Sequence, residues 1–587
     1  MSLALTRGIK CCPTGPVIPV TGLRKGNGNL RDFSSNMTGL TLFTTDTLTL
    51  DETYSNQRED VHNHNMTPAL QTRDRLASSW MIFPLAGAFA VVGAKIWLIA
   101  NGGSPTPFWD QWVAEGKILY PKYFDGTLNI FTLIAPHNEH RILLTRLWSL
   151  MLIDVGGYWD SVLQMLANTT IIGALVAILI ATFRPILFEG SYAALTLFTA
   201  AIFGLPFGWE STLAGFHSQW YFVMLFGIGS VLLFCEARAF STRWWVALFL
   251  AVLSYFSMAS GALPVAAAFA IGVIQFNMAR RSGRREIAGL ALLAVAFVSM
   301  VAFTPVLAHH TPLRAHSIGQ FLRALLQIMS WPVTQDHASL YKVIGGAILL
   351  QAPSALVSIY VIWLRPPLAD RRWLVVALTA WAVLQAIAVA FGRSVFPVSA
   401  RYLEVFTVGI VVNFACLLYA LGASTLPRVK RGVALGAAIW LLLVLFGATK
   451  TVFTRTLPEI ADREAHTRAE TENLRNFLAT KDLRALQNKP FLDIPYPKAE
   501  DLSVIASQPI IRALLPPELI DEPSPYREQQ RGLARFTGRP IAVFKHYALR
   551  WGVLLIPTGF ALFLLGLSMG WRRDADTSPS IDRPGAG

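Results

Sequence analysis

Long apolar runs alternate with short polar connections along most of this chain. The hydrocarbon core of a bilayer is about 30 Å thick and takes roughly twenty residues of helix to cross. On that measure the pattern predicts about twelve spans, near residues 80–100, 160–183, 190–207, 219–236, 244–258, 261–277, 287–308, 339–364, 373–391, 402–422, 432–450 and 549–571. The fifth and sixth are short and meet at Ser260-Gly261, the pattern of a broken or re-entrant pair. Alternation with period two is absent, which excludes a transmembrane β-barrel. The predicted fold is an all-α polytopic membrane protein.

Composition removes the other classes. Of 587 residues, 53% are hydrophobic and 15% charged, against about 25% charged in a soluble domain. That leaves too few charges to cover a water-facing surface, so a soluble enzyme and a disordered chain are both excluded. The formal net charge of +14 would point to nucleic acid in a soluble protein. Here Lys and Arg gather in short connections between spans, as the positive-inside bias requires, and no nucleic-acid partner is expected. Arg73 and Arg75, Arg184, Arg238 and Arg243, Arg280 to Arg285, Arg365 to Arg372, Arg428 to Arg431, and Arg572 and Arg573 all fall on alternate connections. That side is predicted to be cytoplasmic, with both termini inside. The cysteines, Cys11, Cys12, Cys235 and Cys416, show neither metal-ligand spacing nor a disulfide framework.

Residues 1–77 differ from the rest: they are polar, rich in Thr, Asn and Gly, and lack the apolar stretch of a signal peptide. Met66, followed by Pro68, Arg73 and Arg75, is the expected true start, the alternative being a disordered cytoplasmic tail. A transmembrane module is predicted over 78–450, with an external connection at 101–159. A polar block at 451–548, punctuated by proline, reads as a small external domain before the last helix at 549–571 and a cytoplasmic tail at 572–587.

Unusual chemistry collects on the side opposite the basic connections. Asp110 stands between Trp109 and Trp112 just beyond the first span. It reads either as a helix cap beside aromatic-belt tryptophans or as a general base beside a sugar platform. His137, Glu139, His140 and Arg141 follow within five residues, too many polar groups at a membrane boundary to be explained by snorkelling. Glu139 is a candidate to share the work of Asp110 or to orient His140. Asp110, His137, Glu139 and His140 are also suitable ligand types for a divalent metal, at a spacing that matches no metal signature. Arg393, Arg401 and Tyr402 flank another boundary on this side, against the positive-inside bias, so an anion such as a phosphate is expected there. The alternative for Arg401 is an ion pair with Glu404, one turn into the same helix. Glu210, His217 and Gln219 either complete the same site or form a wet loop.

These features resemble the GT-C superfamily of multi-pass glycosyltransferases, some of its uncharacterised bacterial members included. The likeness rests on an acid directly after the first span, basic residues on later external connections and a terminal semi-soluble domain. It covers most of residues 78–573. It implies a plasma (bacterial inner) membrane enzyme with a periplasmic or external active face, among membrane lipids. It would move a sugar from a polyprenyl-phosphate donor to a glycan or lipid acceptor, with inversion and without a cofactor. Asp110 would be the base, and Arg393 and Arg401 the phosphate binders. No second acid stands beside Asp110 in a DxD-like arrangement, so metal dependence is not implied. A lipid-linked glycan polymerase or ligase, and a flippase or transporter of lipid-linked sugars, are the alternatives.

Overall fold

A computed structural model describes residues 59–334, 338–520 and 533–576, with side chains from Met81 to Met569. The described residues from Leu70 onward form one compact unit. Of the polar N-terminal segment, residues 1–58, which include most of the stretch upstream of Met66, lie outside the described residues, while 59–77 belong to the helix that becomes the first span.

Among the described residues, eleven helical segments are long and apolar enough to cross a membrane. The fifth predicted span, 244–258, corresponds to a shorter apolar helix, Thr242–Tyr255. The chain is a multi-pass helical membrane protein. Its principal helices are α1 (Glu59–Gly102), α2 (Leu143–Gly156), α3 (Ser161–Phe183), α4 (Glu189–Gly204), α5 (Ser218–Phe234) and α6 (Thr242–Tyr255). They continue with α7 (Leu263–Asn277), α8 (Arg284–Ala302), α9 (Ile318–Ser330), α10 (Leu340–Leu364), α11 (Trp373–Gly392) and α12 (Ala400–Ala423). Last come α13 (Pro427–Thr451), α14 (Leu457–Thr480), α15 (Ala534–Trp551) and α16 (Leu555–Asp576). The 14 residues of α6 rise only about 21 Å. A 3₁₀ turn, Ala259–Ala262, joins α6 to α7 and contains the Ser260-Gly261 break.

The two largest of several hydrophobic clusters organise this unit. The larger lies among the spans, around Ile172, Met224, Trp381, Val408 and Trp440. The last span is drawn close to the first by small residues. A Cβ at Gly559 would lie 2.6 Å from the Ala86 carbonyl oxygen, so only glycine permits this approach of α16 to α1.

The second core is shared by two stretches far apart in sequence. Trp112, Tyr120 and Trp159 come from the connection after α1; Leu474, Leu502, Ile511 and Leu515 come from the segment after α13. Trp112 and Trp159 meet edge to face at 5.1 Å, and the Trp159 amide donates to the Leu514 carbonyl at 2.8 Å. Burying each such side chain stabilises the cap by about 1.5–3 kcal/mol. Within it Glu115 is buried, and among the described residues no salt bridge reaches it. It accepts from Ser149 Oγ at 2.5 Å, Trp159 Nε1 at 2.6 Å and Gln164 Nε2 at 3.2 Å. Burial raises its carboxyl above the ordinary value despite those hydrogen bonds.

Candidate functional site

The loop leaving α1 is pinned from the cap. The Trp109 amide donates to the Pro495 carbonyl at 2.7 Å, and the Arg463 guanidinium stacks 3.7 Å from the Phe108 ring centroid. Trp109 takes a left-handed φ of +48°, which non-glycine residues adopt at a cost and which clusters at functional sites. The next residue, Asp110, is thereby held with its side chain 49% exposed. Its carboxylate accepts from Asn138 Nδ2 at 3.3 Å and lies 3.6 Å from His137 Nε2. Burial acts to raise the Asp110 carboxyl, but the His137, His217 and Arg401 side chains outweigh it and leave it below its ordinary value.

His137 and Asn138 belong to a two-strand hairpin, β1 (Pro136–His137) and β2 (His140–Arg141), with His137 opposite His140. Asn138 turns the hairpin at φ +51°, a conformation that asparagine tolerates better than most residues. Beside it Glu139 accepts from Arg314 Nη2 at 2.6 Å and Arg393 Nη2 at 2.9 Å, with His310 Nδ1 at 3.3 Å. Burial would raise this carboxyl; Arg314, Arg393 and His310 reverse the effect and bring it down to about 2. His140 accepts from the Ala259 amide at 3.4 Å, so the turn between α6 and α7 supports the hairpin. Burial first, then Arg393, lowers His140 to about 4 and keeps it neutral.

Arg401, in the first turn of α12, forms an ion pair with Glu210, which also accepts from the Arg401 amide at 3.2 Å. Tyr402 lies against both Arg393 and Arg401 and packs its ring 5.3 Å from that of Trp220. His217 follows Phe216, whose ring meets the His137 ring edge to face at 5.5 Å. Asp110, His137, His140, Glu139, Glu210, His217, Arg393, Arg401 and Tyr402 thus converge at the end of the bundle where α1 terminates.

Several expected roles change. Arg401 does not pair with Glu404. Glu404 turns into the bundle and accepts from Lys95 Nζ of α1 at 2.5 Å, both side chains being buried. Gly208 makes room for it, since a Cβ there would lie 2.3 Å from the Glu404 carboxyl carbon. Trp112 is not at the site: it is wholly buried in the cap core, and its Nε1 donates to the Pro107 carbonyl at 2.7 Å. Arg141 donates to the carbonyls of Ile134 at 3.0 Å and Phe303 at 3.1 Å, tying the hairpin to the end of α8. Glu139 faces arginines rather than orienting His140. Among the described residues no three His, Cys, Asp or Glu side chains are arranged to hold a metal. Asp110 and Glu139 have separate partners, so the suggested four-ligand set is not assembled.

Arg314, His310, Asn138 and Lys95 escaped the sequence reading. Lys95 carried a signal of its own, a lone charge inside a predicted span. Arg314 carried the same signal as Arg393, a basic residue on the side opposite the arginine-rich connections. Around the site the buried atoms Trp109 Nε1, His217 Nδ1, Gln219 Oε1 and Arg401 Nε have no hydrogen-bond partner among the described residues. Buried polar atoms are nearly always paired, so this concentration is unusual and leaves hydrogen-bonding capacity open at the site.

Fold and site together define a multi-pass helical membrane protein with a charged, hydrogen-bonding cluster at one end of its bundle. No protein-family model, curated protein or solved structure matches the chain.

Proposed function

We propose that this protein is a glycosyltransferase that moves a sugar from a polyprenyl-phosphate donor to a hydroxyl acceptor on the external face of the membrane. One observation carries the reading. A half-exposed, ionised carboxylate, Asp110, stands directly after the first span and shares its site with Arg401, whose Nε has no partner. In the proposed step the acceptor oxygen bonds to the anomeric carbon while the bond from that carbon to the lipid phosphate breaks. The phosphate leaves with the electron pair, and the acceptor proton passes to Asp110. Arg401 and Arg393 stabilise the departing phosphate, an electrostatic task made stronger by partial exclusion of water. Glu139, clasped by Arg314 and Arg393, serves to position those guanidinium groups and not as a base. Inversion follows from the resemblance to the GT-C superfamily, as does the lipid-linked donor.

The external assignment rests on the arginine-rich connections, which lie on the opposite side and are proposed to be cytoplasmic together with both termini. A transporter of lipid-linked sugars is the second reading. It is favoured by the Lys95–Glu404 pair, because ionisable groups within spans mark ion and substrate paths in transporters. Comparing surface glycans of a deletion strain and its parent separates the two. Loss of one sugar decoration supports the transferase. Accumulated lipid-linked units without loss of transfer in detergent extracts overturns it in favour of transport or polymerisation.

A further inference from the structure

α15 has two unlike faces. On one, Thr537 Oγ1 donates to the Val155 carbonyl at 2.8 Å and Lys545 Nζ donates to Asp160 at 2.5 Å. Ala548 and Leu549 pack with Ile96 and Val162, where the first two spans meet. On the other, Phe536, Pro540, Val543, Tyr547 and Trp551 follow one another at intervals of three or four residues, forming a single stripe. Phe536 is 81% exposed, and Val543, Tyr547 and Trp551 are also exposed. Arg539, His546 and Arg550 run beside that stripe, and no acidic residue occurs from Ala534 to Arg573.

The position of the helix says what covers the exposed face. Asp160 is the N-cap of α3, so Lys545 is tied to the point where the second span begins. Gly552 abuts Ile96, within two turns of the end of α1, and α16, part of the last candidate span, begins at Leu555. The outer face of α15 is therefore continuous with the lipid-facing surface of a spanning helix, on the side of the bundle that carries Asp110. An apolar, aromatic stripe with a basic edge at that level matches the boundary between acyl chains and headgroups. A protein partner would not need the basic edge to follow the membrane level; lipid phosphates do.

We propose that α15 lies in the bilayer interface and that Arg539 and Arg550 bind the phosphates of anionic phospholipids, with Phe536, Val543, Tyr547 and Trp551 among the acyl chains. This interaction surface is independent of the reaction proposed above, and its test does not use sugar transfer.

The full chain, with Cys11 and Cys12 replaced by serine, takes a nitroxide at Val543→Cys and is reconstituted in nanodiscs of phosphatidylcholine with or without phosphatidylglycerol. Collision with oxygen should exceed collision with a water-soluble nickel chelate, as for a label within lipid. A label that meets the nickel chelate as freely as one on a soluble loop overturns the proposal. So does dipolar broadening between two copies, which would make this face a dimer contact. In the same discs, Arg539→Gln with Arg550→Gln should lower the apparent affinity for phosphatidylglycerol roughly fivefold per residue at low salt. Melting in pure phosphatidylcholine should be unchanged. Undiminished affinity for phosphatidylglycerol in that variant overturns the assignment of the phosphate contacts.

Discussion

Glu139 accepts a hydrogen bond from Arg393 at 2.9 Å, across 254 residues of chain, and so binds the hairpin after the first span to the end of α11. Arg314 holds the other oxygen at 2.6 Å. Glu139→Gln keeps the shape of the side chain and removes the charge that both guanidinium groups face. The expected loss is about 1.5–3 kcal/mol, the range for hydrogen bonds to charged groups. Melting of the purified variant in detergent checks this, and an unchanged midpoint would show that the clasp is structurally idle.

Asp110→Asn should lower sugar transfer by about 10²–10⁴-fold, the usual contribution of a positioned base, while expression and donor binding persist. The relevant measurement is single-turnover transfer from a polyprenyl-phosphate sugar in proteoliposomes. Near-normal turnover would remove Asp110 from the chemistry and leave it as a residue that orders the loop beyond α1.

For Arg393 and Arg401, donor affinity should weaken in the order wild type, Arg→Lys, Arg→Ala, because lysine keeps charge but not the two-pronged geometry. The expected loss to alanine is about ten- to hundredfold. Glu210→Gln serves as the control for Arg401: it breaks the ion pair and leaves the arginine present. If Glu210→Gln and Arg401→Ala lower the melting point alike and neither changes donor affinity, Arg401 has only a structural task.

The buried Lys95–Glu404 pair predicts a specific pattern in a double-mutant cycle. Lys95→Met or Glu404→Leu alone should destabilise the protein by about 3–5 kcal/mol, since each leaves its partner's charge unpaired in an apolar interior. Lys95→Met together with Glu404→Leu should recover most of that loss. Thermal unfolding of the four proteins in one detergent measures the coupling. Additive losses would mean that the two residues act separately.

His140 contributes to the pH dependence of stability in a defined direction. Its folded value, about 4, lies below its ordinary 6.5, so the neutral form is favoured by folding. Its contribution is complete above about pH 6.5 and disappears as the pH falls through 4. Glu139, brought from 4.5 to about 2, acts at lower pH, and its window meets that of His140 only between about 4 and 4.5. Melting curves between pH 7 and 4 should show a slope that His140→Gln reduces. An identical slope in the variant would assign the acid sensitivity elsewhere.

How much of this was readable beforehand depended on the range of the physics involved. Hydropathy is a property of each residue, and transfer of a helix into lipid sums it locally. The spans therefore followed from sequence, down to the short α6 and its junction with α7. The odd placement of Asp110, the His137-to-Arg141 run, Arg393 and Arg401 was visible for the same reason, because a charge at a membrane boundary stands out alone. Their partners were not visible. Glu210 with Arg401, Lys95 with Glu404, and Glu139 with Arg314 join residues 191, 309 and 175 positions apart. Which of them meet is decided by which helices pack together. Glu404 illustrates the point: helical spacing alone allowed it to pair with Arg401. The space left by Gly208 and the neighbouring α1 gave it Lys95 instead. The cap core follows the same rule. Trp112 reads as a boundary tryptophan, and only the return of residues 474–520 over the first connection buries it.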